Sequence, residues 1–238
     1  MKPIQILLRW LYPERCFFCN RLLREDEKIL CAGCRLDIPR IREPFCRKCG
    51  KELSRDTEEY CEDCRKNRHG FEYGFALLSY TGETAAMLAR FKYRNCRRYG
   101  EWLGTELADT YRQSVRRMRA DVLVPVPLHG RKERERGFNQ AKILAEAIGR
   151  GTGIPVADML LRTRNTRAQK DLDYEARLAN LEGTLALADA WKGKLPEAVI
   201  LVDDIYTTGS TIEACTAALK RNGVKRVYFL TAAIGVCR

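Results

Sequence analysis

The stretch Val199–Cys215 reads VILVDDIYTTGSTIEAC and constrains the chain more than any other. Val199–Val202 is an unbroken apolar run, as suits a central parallel strand covered on both faces. It ends in the acids Asp203 and Asp204, and a short polar loop containing one glycine, Ile205–Ser210, follows. Apolar spacing at Ile212, Cys215 and Leu219 predicts a helix from Thr211 onward. The loop's backbone N–H groups then sit at a helix N-terminus, where open donors and the helix dipole favour an anion. Acids at the carboxyl end of a strand accept hydrogen bonds from hydroxyls or hold a divalent cation. A phosphate cradle beside such acids suits a phosphorylated ribose. The plainer alternative is a strand–turn–helix whose acids only cap the helix. A Walker B strand ends the same way, but it requires a G-x-x-x-x-G-K-[ST] loop, which the chain lacks.

Other segments repeat the pattern. FEYGFALLSY at 71–80 reads as a strand, Ala85–Tyr93 as a helix, and DVLVPVPL at Asp121–Leu128 as a buried strand ended by its prolines. A basic turn with Arg131, Lys132, Arg134 and Arg136 follows. A helix then starts near Asn139, with an apolar stripe at Ile143, Leu144, Ala147 and Ile148. Further strands are expected over 183–189 and 226–234. Strand–loop–helix repeated is the βαβ pattern of a parallel sheet. Ligands of such sheets bind beyond the carboxyl ends of the strands, so the loops after Val126 and Val202 should share one crevice. Leu160–Asn180 is long and polar, with Thr166, Gln169, Leu172, Arg177 and Asn180 as its marked positions. It reads as a lid over that crevice or as a surface helical hairpin. Nine basic residues stand against three acids between Arg90 and Arg119, which predicts one basic edge facing phosphates or a polyanion.

Eight of the eleven cysteines fall in four C-x-x-C pairs: Cys16/Cys19, Cys31/Cys34, Cys46/Cys49 and Cys61/Cys64. Successive pairs start fifteen residues apart, so this region is an internal repeat. Each pair puts two thiolates on one tetrahedral ion, and two pairs close a structural zinc site with no position left for water. Consecutive pairing into two ribbons is favoured, since eleven residues between pairs suffice for a ribbon hairpin; interleaved pairing stays open at this point. His69 reads as a linker residue, and Cys96, Cys215 and Cys237 as packing residues.

Ahead of the cysteines, Ile4, Leu7, Leu8 and Leu11 fall at helical spacing, and Pro13 ends the run. This reads as a helix packed on the cysteine-rich region; docking to a membrane surface is the alternative, weakened because only Lys2 and Arg9 are basic there. The run is too short for a membrane span and no cleavage site follows. Without an export signal, paired cysteines argue for metal over disulfides. The net charge of +12 favours anionic partners without choosing among them.

The stretch through Thr208, Gly209, Ser210 and Thr211 resembles the phosphoribosyl-pyrophosphate (PRPP) signature of type I phosphoribosyltransferases. Beyond that, the four C-x-x-C pairs, VPVPLHGRKERERGFNQA, TRAQKDLDYEARLAN and VILVDDIYTTGST occur in that order. Together they resemble the ComF-type proteins linked to DNA uptake in naturally competent bacteria, over nearly the whole length. The resemblance implies an α/β type I phosphoribosyltransferase fold, a parallel-rich sheet flanked by helices, over 71–238. A double zinc ribbon over 16–70 and a short amphipathic helix over 1–15 would precede it. It also implies a cytoplasmic protein, with a peripheral place at the inner membrane face as the alternative, and no integral membrane segment.

By the same resemblance, Asp203 and Asp204 hold the ribose 2′ and 3′ hydroxyls, and Tyr206, Thr207, Thr208, Gly209, Ser210 and Thr211 bind the 5′-phosphate. Pro127, Leu128, His129 and Arg131 take the pyrophosphate with Mg²⁺, and Lys92 and Arg94 are further candidates for that group. Arg136, Gln169 and Arg177 belong to the lid. The implied reaction is displacement of pyrophosphate from ribose C1 by a nitrogen nucleophile, through a transition state of oxocarbenium character. No residue singles out the acceptor. The competing expectation is a non-catalytic PRPP- or nucleotide-binding accessory protein. Its basic zinc head, with Arg35, Arg40, Arg42, Arg47, Lys48, Lys51, Arg65, Lys66 and Arg68, would contact single-stranded DNA or a competence ATPase or helicase.

Overall fold

The computed structural model describes residues 13–93, 96–163, 181, 183–193 and 195–236. The expected N-terminal helix over 2–12, Arg94, and the positions Thr166, Gln169, Leu172, Arg177 and Asn180 lie outside these residues. Two short helices, α1 (Ala32–Asp37) and α2 (Glu62–Lys66), mark the cysteine-rich region, and strand β1 (Gly74–Tyr80) follows. Helices α3 (Gly82–Tyr93), α4 (Arg97–Thr110) and α5 (Arg112–Met118) lead to β2 (Val122–Pro125). Next come α6 (Gly130–Arg136), α7 (Gln140–Thr152), β3 (Leu160–Arg162) and β4 (Leu185–Leu187). The chain ends through β5 (Ala198–Tyr206), α8 (Ser210–Arg221) and β6 (Arg226–Gly235).

Strands β1, β6, β5 and β2 form one sheet in that order, and every neighbouring pair is parallel. Side chains alternate between its faces. Ala198, Ile200 and Val202 of β5 pack toward Leu103 and Leu107 of α4 and Leu144 and Ile148 of α7. Val199 and Leu201 pack toward Ile212, Cys215 and Leu219 of α8. Both faces are thus covered, which is why the strand reads as a continuous apolar run. The strand expected over 183–189 shortens to β4 and joins β3 in a separate antiparallel pair rather than entering the main sheet.

The cysteine-rich region grips the edge of this sheet. Pro39–Ile41, between the two cysteine clusters, lies antiparallel against β1: Ser79 N–H donates to Pro39 O at 2.8 Å, and Ile41 N–H donates to Leu77 O at 3.0 Å. That pairing covers an edge which would otherwise expose unpaired backbone groups. The first cluster's Phe17, Leu30 and Ile38 join the apolar layer of α4 and α7, and the second cluster's Leu53 joins that of α8. The two ribbons therefore straddle β1, one on each face. The basic run from Arg90 to Arg119 does not form one edge. Arg90 donates to the carbonyls of Phe17 and Phe18, Arg98 pairs with Glu14, and Arg112 pairs with Asp109. Lys92 alone of the described members turns toward the crevice.

The structural repeat is thirty residues, two cysteine pairs per unit. Cys16 N–H donates to Arg21 O, and Cys46 N–H to Lys51 O, both at 2.7 Å. Each unit needs a left-handed residue at the same turn, Asn20 at φ 65° and Gly50 at φ 76°. Asparagine serves in the first unit. In the second, a Cβ on residue 50 would stand 2.8 Å from the Gly74 carbonyl oxygen, so only glycine lets the ribbon seat on β1. Gly50→Ala is expected to cost about 1–3 kcal/mol and lower the melting temperature by several degrees. Asn20→Gly is expected to leave it nearly unchanged, with calorimetry of both variants as the check.

Candidate functional site

Strand periodicity sends the acids at the end of β5 to opposite faces. Asp204 turns toward α3, where Lys92 Nζ stands 2.7 Å from its Oδ2. Asp203 turns toward α8 and feels the charge of Arg162 on β3. Burial pushes the Asp203 carboxyl up to about 8, the neighbouring Asp204 charge adds to the rise, and Lys92 and Arg162 oppose it. Lys92 is itself largely enclosed; burial works against its charge, but Asp204 and then Asp203 more than restore it, and its ammonium ends above the usual lysine range. Both acids open onto a cavity of about 720 Å³ beyond the carboxyl ends of β2 and β5. That volume is in the range of ordinary ligand sites.

The loop after β5 forms the next wall. Gly209 takes φ 84° and is the N-cap of α8, with no side chain capping the helix. The one acid in the first turn, Glu213, is drawn away. Its carboxylate accepts the Gly70 N–H at 2.9 and 3.0 Å and stands 3.5 Å from His69 Nδ1. The helix start is therefore left for an anion. Thr207 and Thr211 line the cavity, and the hydroxyls of Thr208 and Ser210 are 3.2 Å apart. Tyr206 does not reach the cavity with its ring. It stacks on Phe229 at 4.9 Å, and its hydroxyl lies where a Cβ on residue 209 would go. Glycine there is thus doubly required.

The opposite wall rises from the end of β2. Pro127 and Leu128 line the cavity as the sequence suggests. His129 and Arg131 do not. His129 caps α6 by accepting the Arg131 N–H, and the exposed Arg131 guanidinium pairs with Glu135 at 2.9 Å. The cavity instead receives Lys132 and Arg136 from α6 and Gln140 from α7. Arg136 lies over the Tyr93 ring, 5.5 Å from its centre. Burial, then the charges of Arg162 and Arg136, hold the Lys132 ammonium below the usual lysine range. Arg162 also lines the cavity, its guanidinium lowered by burial. Among the described residues, two acids thus share the space with Lys92, Lys132, Arg136 and Arg162, an excess of positive charge. Arg162 gave no signal in the sequence, lying at the start of a polar segment. Gln140 lay in view as part of GFNQA.

The cysteines form two clusters, Cys16/Cys19/Cys31/Cys34 and Cys46/Cys49/Cys61/Cys64, with the sulfurs of each within 4.8 Å of one another. The pairing is consecutive, not interleaved. Four sulfurs held about 2.3 Å from one tetrahedral ion stand about 3.8 Å apart. Cys19 and Cys31 sulfurs are 3.8 Å apart, and those of Cys49 and Cys61 3.6 Å. All eight are free of disulfides. In the first cluster the N–H groups of Cys31 and Cys34 both point at sulfur, at 3.4 Å, as suits thiolates under a metal. These donor sets fit zinc in closed, structural sites.

Residues 7–65 match the double zinc ribbon domain family. The chain is 31% identical to "Competence protein ComFC" of Streptococcus pneumoniae over 87% of its own length and 88% of the relative's. The chain belongs to the ComF family. It is also 29% identical to "Competence protein F" of Haemophilus influenzae, covering 90% of this chain and 93% of that one. It is 34% identical to "DNA utilization protein YhgH" of Escherichia coli over 45% of this chain and 46% of that protein. Among solved structures it is similar to a purine phosphoribosyltransferase from Pyrococcus horikoshii, at 16% identity and a TM-score of 0.35, covering 56% of this chain and 82% of that one. Among the described residues, no helix of this ComF protein is long and apolar enough to cross a membrane. Elemental analysis of the purified protein is expected to find two zinc ions per chain. Cys49→Ser should lose one of them and lower the melting temperature sharply, whereas retention of both would contradict the assignment.

Proposed function

We propose that this ComF protein binds PRPP together with Mg²⁺ and transfers the phosphoribosyl group to a nitrogen acceptor, releasing pyrophosphate. One observation supports this above the others. Asp203 and Asp204, the uncapped start of α8 and a surplus of cations converge on a single cavity. A ligand matching all three carries a vicinal diol between two phosphate-bearing ends. In this reading the acids take the 2′ and 3′ hydroxyls, and the loop Thr207–Thr211 takes the 5′-phosphate through its backbone N–H groups. The diphosphate lies along the wall that follows β2. Mg²⁺, arriving with the diphosphate, supplies positive charge to the leaving group. As the C1–O bond opens, positive charge grows on the ring and the acids stabilise it, while Lys92 and the opposite wall stabilise the departing anion. The chemistry requires no covalent nucleophile. Water competes with the acceptor, so enclosure of the cavity serves the reaction as well as binding.

The names of the relatives support a place for this activity in competence or DNA use. The accessory reading, with the zinc head on single-stranded DNA or a competence motor, draws less support from the surface. Arg40, Arg47, Lys51, Arg65 and Lys66 are already engaged in ion pairs with Glu106, Glu59, Asp63, Glu58 and Glu62.

PRPP with Mg²⁺ at a hundred times its Kd is expected to stabilise the fold by about 2.7 kcal/mol. That should raise the melting temperature by about 5–10 °C in a chain of this size. Asp204→Asn should remove most of that rise; an unchanged rise would sink the proposal. Affinity should also depend on pH. Asp203 is raised, so below about 8 it is largely protonated in the free protein, and a ligand that needs its carboxylate must expel a proton. PRPP affinity is therefore expected to climb between pH 6 and 8.5, and the climb should flatten in Asp203→Asn. Titration calorimetry at several pH values checks both.

A further inference from the structure

Gln140 is the first residue of α7 and is only 2% exposed. Its Oε1 accepts a hydrogen bond from Arg136 Nη1 at 2.9 Å. An arginine can only donate, so the amide has one allowed orientation, with Nε2 turned the other way. Nε2 is buried and, among the described residues, has no acceptor. A buried donor without an acceptor is unfavourable and uncommon in folded proteins. The neighbouring Asn139 does not share the problem. Its Oδ1 accepts the Ala141 N–H, and its Nδ2 donates to Val126 O. Gln140 lines the cavity and shares that wall with Lys132 and Arg136. Glu133 and Glu135, the acids of α6, are exposed, and Glu135 is occupied by Arg131. Among the described residues, the side chains of α6 and the start of α7 that line this wall offer donors and positive charge, and the one amide acceptor beside them, Asn139 Oδ1, is taken by the Ala141 N–H.

We infer that Gln140, held in one orientation by Arg136, is the donor that recognises the diphosphate end of the ligand, in a subsite it shares with Lys132. The inference rests on the PRPP reading for the identity of the anion, and on the wall itself for its chemistry. A nitrogen acceptor presents N–H groups and would meet only other donors here. A diphosphate presents oxygen acceptors and negative charge, and fits. The sugar's 5′-phosphate is assigned to the start of α8, across the cavity. Gln140 thus discriminates ligands bearing a terminal diphosphate from those bearing the sugar phosphate alone.

The test compares inorganic pyrophosphate, ribose 5-phosphate and PRPP, each with Mg²⁺, by titration calorimetry on the full-length zinc-loaded protein. Gln140→Glu keeps the shape and the bond to Arg136 but replaces the donor with a negative acceptor. Gln140→Leu removes the donor without adding charge. A hydrogen bond to a charged group corresponds to about a 10–100-fold change in affinity. Gln140→Glu is expected to weaken pyrophosphate and PRPP by at least that much, Gln140→Leu by about tenfold, and both should leave ribose 5-phosphate within about twofold. Uniform loss of all three ligands would mark Gln140 as structural and overturn the inference, as would unaltered pyrophosphate binding in both variants or no pyrophosphate binding by the native protein. If the native protein binds pyrophosphate but neither sugar phosphate, the PRPP reading fails. The subsite then still stands or falls on the loss of pyrophosphate in the two variants.

Discussion

Two carboxylates at the end of a strand buried on both faces are hard to accommodate, and much of the surrounding structure offsets that burden. Strand periodicity separates Asp203 from Asp204 by turning them to opposite faces, yet the end of the sheet keeps them within reach of each other's charge. Lys92, carried by the helix after β1, compensates one of them directly. Arg162, carried by the small antiparallel pair, compensates the other from a distance. Neither cation is close in sequence to the acids. The site exists only because the parallel crossovers bring the ends of β1, β2 and β5 to one side of the sheet. An acid whose proton is held this firmly makes binding depend on pH, because a ligand that needs the carboxylate must first offset the cost of ionising it.

The zinc head belongs to the same arrangement. Its connecting segment completes the open edge of β1, and each ribbon adds apolar side chains to one face of the sheet. Closed four-sulfur sites stiffen two short hairpins that would be too small to hold a fold alone. The path continues toward the site. The linker after the second ribbon places Gly70 and His69 against Glu213, and this draws the only acid in the first turn of α8 away from the helix start. The head is a structural buttress for the loop that starts α8 as well as a metal-binding unit.

Much of this was legible in the chain. The run VILVDD and the helical stripe after it announced a central strand, a turn and a helix, because a doubly covered strand and an amphipathic helix have distinct periods. The four C-x-x-C pairs announced two metal sites, while their pairing needed the sulfur distances. The loop residues around Gly209 were legible as a group, but their individual roles were not. Tyr206 looks polar in sequence and packs inward, since it stacks on Phe229 with the edge of Phe71 against both, filling the space under the loop. Arg131 and Arg136 look equivalent in a basic turn. One turn of helix decides that Arg131 meets Glu135 in solvent while Arg136 faces the cavity. Arg162 depends on a strand pairing that no local pattern encodes. Residues brought together by long-range topology were the ones that sequence reasoning missed.

The central claim is that one cavity holds a sugar diol on Asp203 and Asp204, with a phosphate on either side. The most direct measurement is a crystal structure of the zinc-loaded protein with PRPP and Mg²⁺. The account predicts ribose hydroxyls within hydrogen-bond reach of both carboxylates, the 5′-phosphate on the N–H groups at the start of α8, and Lys92 drawn from Asp204 toward the diphosphate. Density for PRPP elsewhere on the surface, or an undisturbed Lys92–Asp204 pair beside an empty cavity at saturating ligand, would contradict it.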